Sequence, residues 1–234
     1  MKTWQITAGN TAELAANFNA FGITVPARTE KKDQFAEEVY CLRRYLFPLA
    51  HSGLLEFPIE IVKHETPDFV STSRSGDGIG LEVTKATREE FEADLTRFHR
   101  QQETENYLSN PNTGMMALDI LGWAGDSVET EWVSYILGSI SNKLPDLPSY
   151  PVEECDLLIY DNTPLPAPNL QMAAEGVRLQ FVKEPLTDEH GRVFRVISVI
   201  RDLWLIYDIA RKPQLLQYDV AWNTPAILSK VCWD

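Results

Sequence analysis

Two carboxylates in apolar surroundings place the strongest constraint on this chain. They lie in residues 65–86, which read Glu-Thr-Pro-Asp-Phe-Val-Ser-Thr-Ser-Arg-Ser-Gly-Asp-Gly-Ile-Gly-Leu-Glu-Val-Thr-Lys-Ala. Asp68 begins one apolar stretch, and Glu82 lies between Leu81 and Val83 in another. A carboxylate buried in such a run costs several kcal/mol unless it is paired or binds a metal. Any fold of this chain must therefore bring a cation or a donor to both side chains.

The same segment predicts a hairpin of two antiparallel strands. Pro67 disfavours a helix, so the first strand is expected over residues 68–72. Residues 73–78 contain two glycines and have turn chemistry, and the second strand is expected over residues 79–85. Asp68 and Glu82 then lie on adjacent arms, where their like charges repel unless a cation lies between them.

A strong helical pattern precedes the hairpin. Residues 30–50 carry one apolar stripe with helical spacing, made of Phe35, Val39, Leu42, Leu46 and Leu49. Glu38 lies next to that stripe, with Glu37 behind it. Two interpretations of Glu38 stay open: a salt-bridging residue at the boundary of the stripe, which the pattern favours, or a third carboxylate that faces the hairpin.

The remaining pattern predicts an α/β protein. Strands are expected over residues 56–64, 155–161 and 177–183 and in two pieces of 194–209, with helices over 87–108 and 126–143 and an irregular tail from Tyr218. Residues 1–29 are interpreted as an N-terminal arm with a short helix capped by Thr11, and residues 30–234 as a single domain. This order predicts a mixed central sheet flanked by helices, with a β-rich C-terminal extension.

Composition limits the classes of partner. The 234 residues carry a net charge of −13, which disfavours a broad basic surface for nucleic acid. The sequence contains neither an apolar run of the ~18 residues needed for a membrane span nor an apolar signal segment. Its three cysteines are widely spaced, so we expect a cytoplasmic protein. The tryptophans near the termini, Trp4, Trp222 and Trp233, leave open a homo-oligomer interface or core packing, and core packing is favoured.

The order helix–strand–strand–strand–helix–strand resembles the PD-(D/E)XK nuclease superfamily, whose fold is restriction-endonuclease-like. The motifs that carry the resemblance are Glu-Thr-Pro-Asp-Phe at 65–69 and Ile-Gly-Leu-Glu-Val-Thr at 79–84. The helix that ends at Lys143 and the strand after it also fit the αβββαβ core of that superfamily. The resemblance covers about residues 30–162 and leaves the first 29 residues and the tail unexplained.

The resemblance implies a Mg²⁺ or Mn²⁺ site on the hairpin. By position, Asp68 and Glu82 would be metal ligands, and Glu38 is the best ligand candidate on the first helix. The superfamily usually places a lysine two residues after the glutamate, and here that residue is Thr84. Lys85 is adjacent, but strand alternation points it to the opposite face from Glu82.

Two other lysines could replace the missing motif residue. Lys63 precedes the hairpin, and Lys143 ends a helix. Asp68, Glu82, Thr84 and Lys85 are therefore the candidate catalytic residues, with the basic group to be supplied from elsewhere in the fold if Lys85 cannot reach the site.

Three functional hypotheses follow. The first is a metal-dependent phosphodiesterase, a nuclease that acts on nucleic acid with a variant active site. The second is a catalytically inactive acidic module on the same fold that binds a protein partner, which the net charge and Thr84 favour. The third is an α/β domain in which Asp68 and Glu82 make structural contacts only, for example from Glu82 to Lys63 or Arg74.

Overall fold

The structure is a computed structural model that describes residues 4–22, 34–74, 76–86, 127–161, 169–183, 186–202, 213–219 and 224–229. Its eight strands form one sheet in sequence order: β1 (Gln5–Ala8), β2 (Ile59–Lys63), β3 (Phe69–Thr72), β4 (Gly78–Ala86), β5 (Glu154–Asp161), β6 (Val196–Asp202), β7 (Pro213–Asp219) and β8 (Thr224–Ser229). The described helices are α1 (Thr11–Ala20), α2 (Gln34–His51), α3 (Ser127–Lys143) and α4 (Leu170–Lys183), and a 3₁₀ helix over Leu144–Ser149 follows α3.

The sheet is mixed. Strands β1 to β4 form an antiparallel meander, β4, β5 and β6 are parallel, and β6 to β8 are antiparallel again. Parallel neighbours require a crossover connection, and α3 and α4 lie in the two crossovers of this sheet. The predicted mixed sheet flanked by helices is confirmed.

Alternating side chains of β5 supply both faces of the sheet. Leu158 and Tyr160 pack in the core beneath α1 and α2, whereas Leu157 and Ile159 pack in the core beneath α3 and α4. All four are at most 2% exposed. A strand buried on both faces reads as a continuous apolar run, which is why residues 155–161 were predicted as a central strand.

Helix α2 packs its apolar stripe on the first of these cores. Val39, Leu42, Leu46 and Leu49 are buried there, and Phe35 packs against them. The helix ends before Gly53, whose φ of +68° is a conformation that favours glycine. The next amide, that of Leu54, donates to the carbonyl of Leu49 at 2.9 Å.

The segment interpreted as an N-terminal arm joins the same sheet and core. Strand β1 is the antiparallel neighbour of β2, and α1 buries Leu14 and Phe18 beneath it. The predicted cap at Thr11 is wrong, because the N-cap of α1 is Asn10. Its Oδ1 accepts from the Glu13 amide at 2.9 Å, and Glu13 Oε2 accepts from the Gly9 amide at 2.7 Å. This reciprocal pair satisfies amides that the helix itself leaves open.

Two predictions in the C-terminal half are wrong. Residues 177–183 lie in α4, where Ala173 and Val177 are buried at helical spacing, although the run also alternates as a strand would. The tail from Tyr218 to Asp234 was predicted to be irregular, but its described residues, 218–219 and 224–229, belong to β7 and β8. The predicted helix over 87–108 lies outside the described residues.

Gly80 has no room for a side chain, and this gives a first prediction. A Cβ there would lie 2.8 Å from Pro67 Cγ, 2.9 Å from Val152 Cγ2 and 3.1 Å from Cys155 Sγ. Gly80→Ala should destabilise the fold by about 1–3 kcal/mol, because neighbours on both flanking segments must move. Urea unfolding measures the change.

Gly138→Ala in α3 is the matched control. A Cβ at Gly138 meets no atom within 4 Å. Alanine also favours a helix interior over glycine by about 0.5–1 kcal/mol, so this variant should gain stability. Equal stability of the two variants would contradict the close packing at Gly80.

Candidate functional site

Asp68 and Glu82 face each other across the hairpin. Phe69 pairs with Leu81 in the antiparallel ladder, so the next facing positions are 68 and 82. Strand β3 begins only at Phe69, whereas β4 continues to Ala86. The Val83 amide, which would otherwise lack a strand partner on that side, donates to Asp68 Oδ2 at 2.8 Å. Both carboxylates are buried, at 7% and 5% exposed.

Lys63 joins the first helix to the hairpin. Its Nζ lies 2.7 Å from Glu38 Oε2 and 3.2 Å from Asp68 Oδ1. It also donates to the His64 carbonyl at 2.8 Å and lies 5.0 Å from the centroid of the Phe69 ring. Glu38 is thus a salt-bridging residue, as its pattern favoured, and its partner lysine also contacts the hairpin carboxylate.

Lys143 supplies the cation at the other carboxylate. Its Nζ lies 2.5 Å from Glu82 Oε1 and 3.8 Å from Asp146 Oδ2. Lys143 is the last residue of α3. The crossover that connects the parallel strands β4 and β5 therefore places its ammonium at the site. Among the described contacts, Glu82 therefore pairs with Lys143 rather than with Lys63 or Arg74.

Tyr150 is a neighbour of the site that sequence reasoning missed. Its hydroxyl and Glu82 Oε2 are buried and lie close to each other, and within the described part of the chain neither atom makes a hydrogen bond of ordinary geometry. Burial first, and then the Glu82 charge, raises the pKa of Tyr150 above its ordinary value. The available signal was its place directly after the 3₁₀ helix that follows Lys143.

Two of the acidic residues that pair with lysines, Glu82 and Glu38, keep their protons more readily than usual. Burial raises the pKa of Glu82 above 4.5, and the Asp68 charge adds to the rise against the opposing effect of Lys143. Burial likewise raises the pKa of Glu38, with a contribution from Asp68 and an opposing one from Lys63. Negative charge is therefore crowded at Asp68, where the helix and both hairpin arms meet.

The remaining candidates lie to the side of this cluster. Lys85 Nζ lies 2.5 Å from Glu37 Oε2, on the helix α2 side of β4, as strand alternation predicted. Thr84 is half-buried and pairs with Ile159 of β5, so by alternation it shares a face with Glu82. Of the predicted site residues, the structure brings together Glu38, Asp68 and Glu82 with Lys63 and Lys143.

The carboxylates of this cluster are chemically suitable ligands for a hard divalent cation, but their arrangement does not form a complete metal site. Carboxylate oxygens are the ligands that Mg²⁺ prefers, and Glu82 Oε2 lacks a partner in the described chain. Yet among the described residues no three His, Cys, Asp or Glu side chains are grouped to hold a metal. Asp68 Oδ1 and Oδ2 already bind Lys63 and the Val83 amide.

A further buried carboxylate, Asp156, was also missed by sequence reasoning. Asp156 lies on β5 and accepts hydrogen bonds from Arg195 Nε at 2.9 Å and from Arg195 Nη2 at 2.7 Å. The two side chains therefore form a bidentate pair. Both residues line a cavity of about 530 Å³ between the C-terminal half of α2 and the sheet. The signal was the same as at Glu82, a carboxylate inside an apolar strand.

Comparison with known proteins returns no relatives: no family model, curated protein or solved structure matches this chain. Within the described residues, every helix is too short or too polar to cross a membrane. What the geometry defines is thus a mixed α/β protein with a buried carboxylate–lysine cluster on its central hairpin.

The raised pKa of Glu82 leads to a second prediction. Its unfolded pKa is about 4.5, so the native state holds this proton to higher pH than the unfolded state does. That contribution to stability is complete below the unfolded pKa and is lost as the pH rises through the folded pKa. Glu82→Gln stays neutral, so its melting temperature relative to the wild type should rise between about pH 4.5 and pH 7.

Glu175→Gln on α4 is the control with the opposite sign. Arg178 lowers the pKa of the exposed Glu175, so its contribution is present above pH 4.5 and is lost as the pH falls. The melting temperature of this variant relative to the wild type should fall as the pH rises toward 4.5 and then stay level up to about pH 7. Parallel trends in the two variants, measured by thermal unfolding, would contradict the assignment at Glu82.

Proposed function

We propose that this chain is a metal-dependent phosphodiesterase that cleaves nucleic acid, on a restriction-endonuclease-like fold of the PD-(D/E)XK type. The observation that carries the proposal is the facing pair Asp68 and Glu82 on adjacent strands, with Glu38 brought to Asp68 through Lys63. The order α2, β2, β3, β4, α3, β5, with β5 parallel to β4, supports the same assignment.

Asp68, Glu82 and Glu38 would hold Mg²⁺ or Mn²⁺. The metal, when bound, supplies a Lewis acid for the phosphate and lowers the pKa of a water molecule. The chain's own contribution is to hold the two hairpin carboxylates at fixed facing positions. The Val83 amide orients Asp68 at 2.8 Å, and the burial of both side chains excludes competing water.

Lys143 takes the place of the motif lysine in this proposal. It comes from α3 rather than from β4, where Thr84 occupies the motif position. Its ammonium contacts Glu82 Oε1 and leaves Oε2 open, so it can orient the carboxylate and still present positive charge. An ammonium near the phosphate would stabilise the negative charge that develops during cleavage.

The net charge of −13 bears on how a substrate would bind. An acidic protein repels a polyanion over distances near the Debye length, so affinity cannot come from a broad electrostatic surface. Recognition would then depend on contacts at the cleaved phosphate itself. We therefore expect weak substrate binding that requires the metal ion and is weakest at low ionic strength, where the repulsion is screened least.

A second candidate function is a catalytically inactive acidic module that binds a protein partner. One observation favours it: Lys63 and Lys143 already neutralise the carboxylates, and the described residues contain no three-ligand metal group. In that case the cluster would be a structural ion-pair network, and the acidic surface would bind a basic protein.

Cleavage assays with matched variants test the proposed function. Wild-type protein with Mn²⁺ or Mg²⁺ should cleave single- or double-stranded DNA or RNA, and Asp68→Asn should abolish this activity because it removes a ligand. Lys143→Met should lower the rate by roughly 10²–10³, in the range of a lost general-acid or electrostatic contact.

Arg178→Met is the control, because Arg178 pairs with Glu175 on α4 and is not among the residues of the carboxylate–lysine cluster. It should retain the wild-type rate. Metal-dependent cleavage that is unchanged in Asp68→Asn would assign the activity to a contaminant. Metal binding without cleavage of any substrate, together with capture of a basic protein, would instead support the inactive module.

A further inference from the structure

The cavity of about 530 Å³ beneath α2 has the size and the lining of a small-molecule site. It lies between the C-terminal half of that helix and strands β2 to β6. Its volume is within the range of about 300–1,000 Å³ that such sites usually have. Most of its wall is apolar and buried, as at Leu46, Leu49 and Ile61. A ligand of this cavity would therefore be largely apolar.

One end of the cavity is polar. Asp156 and Arg195 form their bidentate pair there, and Tyr45 of α2 lines the cavity close to both. The Tyr45 hydroxyl also lies close to Ser198 Oγ, which is buried and makes no hydrogen bond of ordinary geometry among the described residues. Burial raises the pKa of Tyr45, so its hydroxyl keeps a proton that it can donate. Part of the hydrogen-bonding capacity of these two hydroxyls is left for a ligand.

The charges at that end disfavour an ionised ligand group. Arg195 faces two carboxylates, Asp156 at 2.7 Å and Glu154 at 3.4 Å, and Glu56 also lines the cavity. This excess of negative charge repels a carboxylate or a phosphate. An ammonium would find both oxygens of Asp156 bound to Arg195, and the guanidinium itself would repel it. Because an unpaired buried charge is costly, an uncharged polar group fits best.

An exposed leucine marks the opening of the cavity. Leu54 lines it and follows Gly53 at the end of α2, and its amide donates to the Leu49 carbonyl. A residue in this position commonly packs on the last helical turn. Leu54 is nevertheless 57% exposed. The cavity thus opens beside an apolar surface that a long apolar ligand would cover.

We propose that this cavity binds an uncharged amphipathic molecule. Its apolar body lies between α2 and the sheet, and its hydroxyl, carbonyl or amide end hydrogen-bonds to Tyr45. This inference goes beyond the proposed nuclease function and does not rest on it. The cavity is lined by Phe69 and Leu81 on the α2 face of the hairpin, whereas alternation places Glu82 on the opposite face, where it meets Lys143.

Calorimetric titration with three probes of one chain length tests the proposal. At about pH 7, 1-octanol is uncharged, octanoate is an anion and octylamine is a cation. Wild-type protein should bind 1-octanol at least about tenfold more tightly than either ion, with a negative heat-capacity change from the burial of apolar surface. Failure of 1-octanol to bind would overturn the proposal. Octanoate or octylamine binding as tight as that of 1-octanol would assign the cavity to an ion and would also overturn it.

A filled cavity should no longer bind the probe. Ser71 lines the cavity from β3, so Ser71→Phe places a ring in the volume of the ligand and should weaken 1-octanol binding by more than about tenfold. Thr72→Phe is the matched control, because Thr72 is also half-buried but faces the other side of the same strand. It should bind as the wild type does. An equal effect of the two variants would overturn the assignment to this cavity.

Tyr45→Phe tests the polar end without added volume. The loss of one hydrogen bond should weaken 1-octanol binding about three- to tenfold. Tyr40→Phe, on the same helix but outside the cavity lining, should bind as the wild type does. Unchanged affinity in Tyr45→Phe, or an equal loss in both variants, would overturn the role of Tyr45. These titrations contain no metal and no nucleic acid, so this proposal and the nuclease function fail independently.

Discussion

The burial of like charges at one end of a hairpin is the constraint on which this site depends. Asp68 and Glu82 are held at facing positions by the pairing of β3 with β4, and both are removed from water. Such an arrangement is stable only where cations or donors offset the repulsion and the loss of hydration. Lys63, Lys143 and the Val83 amide provide these contacts from three different elements.

The sheet topology explains how those contacts reach the hairpin. Strand β3 starts at Phe69 while β4 continues to Ala86, so one edge of β4 opens where the carboxylates lie. The parallel pairing of β4 and β5 requires a crossover, and α3 in that crossover ends at Lys143. On the other face, α2 brings Glu38 to Lys63. The connectivity of the chain therefore brings the lysines to the same end of the hairpin as the carboxylates.

The two lysines give the cluster different chemical roles. Lys63 bridges two carboxylates and so resembles a bound metal ion in its position, whereas Lys143 contacts one oxygen of one carboxylate. The unpartnered Glu82 Oε2 and the nearby Tyr150 hydroxyl make that half of the cluster the more open one within the described residues.

Local pattern was sufficient for much of this description. Apolar stripes at helical spacing predicted α2 and α3, the buried run over residues 155–161 predicted β5, and carboxylates inside apolar strands marked Asp68 and Glu82 as residues that need partners. The spacing of apolar residues alone gave the wrong element at residues 177–183. Val177 and its neighbours alternate as they would in a strand, but Ala173 and Val177 also fit one face of a helix. The cap at Asn10 was missed because Thr11, the next residue, is also of a type that is preferred at the N-cap.

The sequence by itself determined that two carboxylates must be buried on one hairpin and must find positive partners, because hydrophobic neighbours and charge are both local properties. Only the tertiary structure decided which partners they find. Lys63 and Lys143 were candidates among several basic residues, and their assignment to Asp68 and Glu82 depends on the end of β2 and on the crossover through α3. Asp156 and Arg195 lie 39 residues apart, and their pairing likewise follows from the neighbouring positions of β5 and the start of β6. Contacts between distant segments are set by register and connectivity, which no local pattern contains.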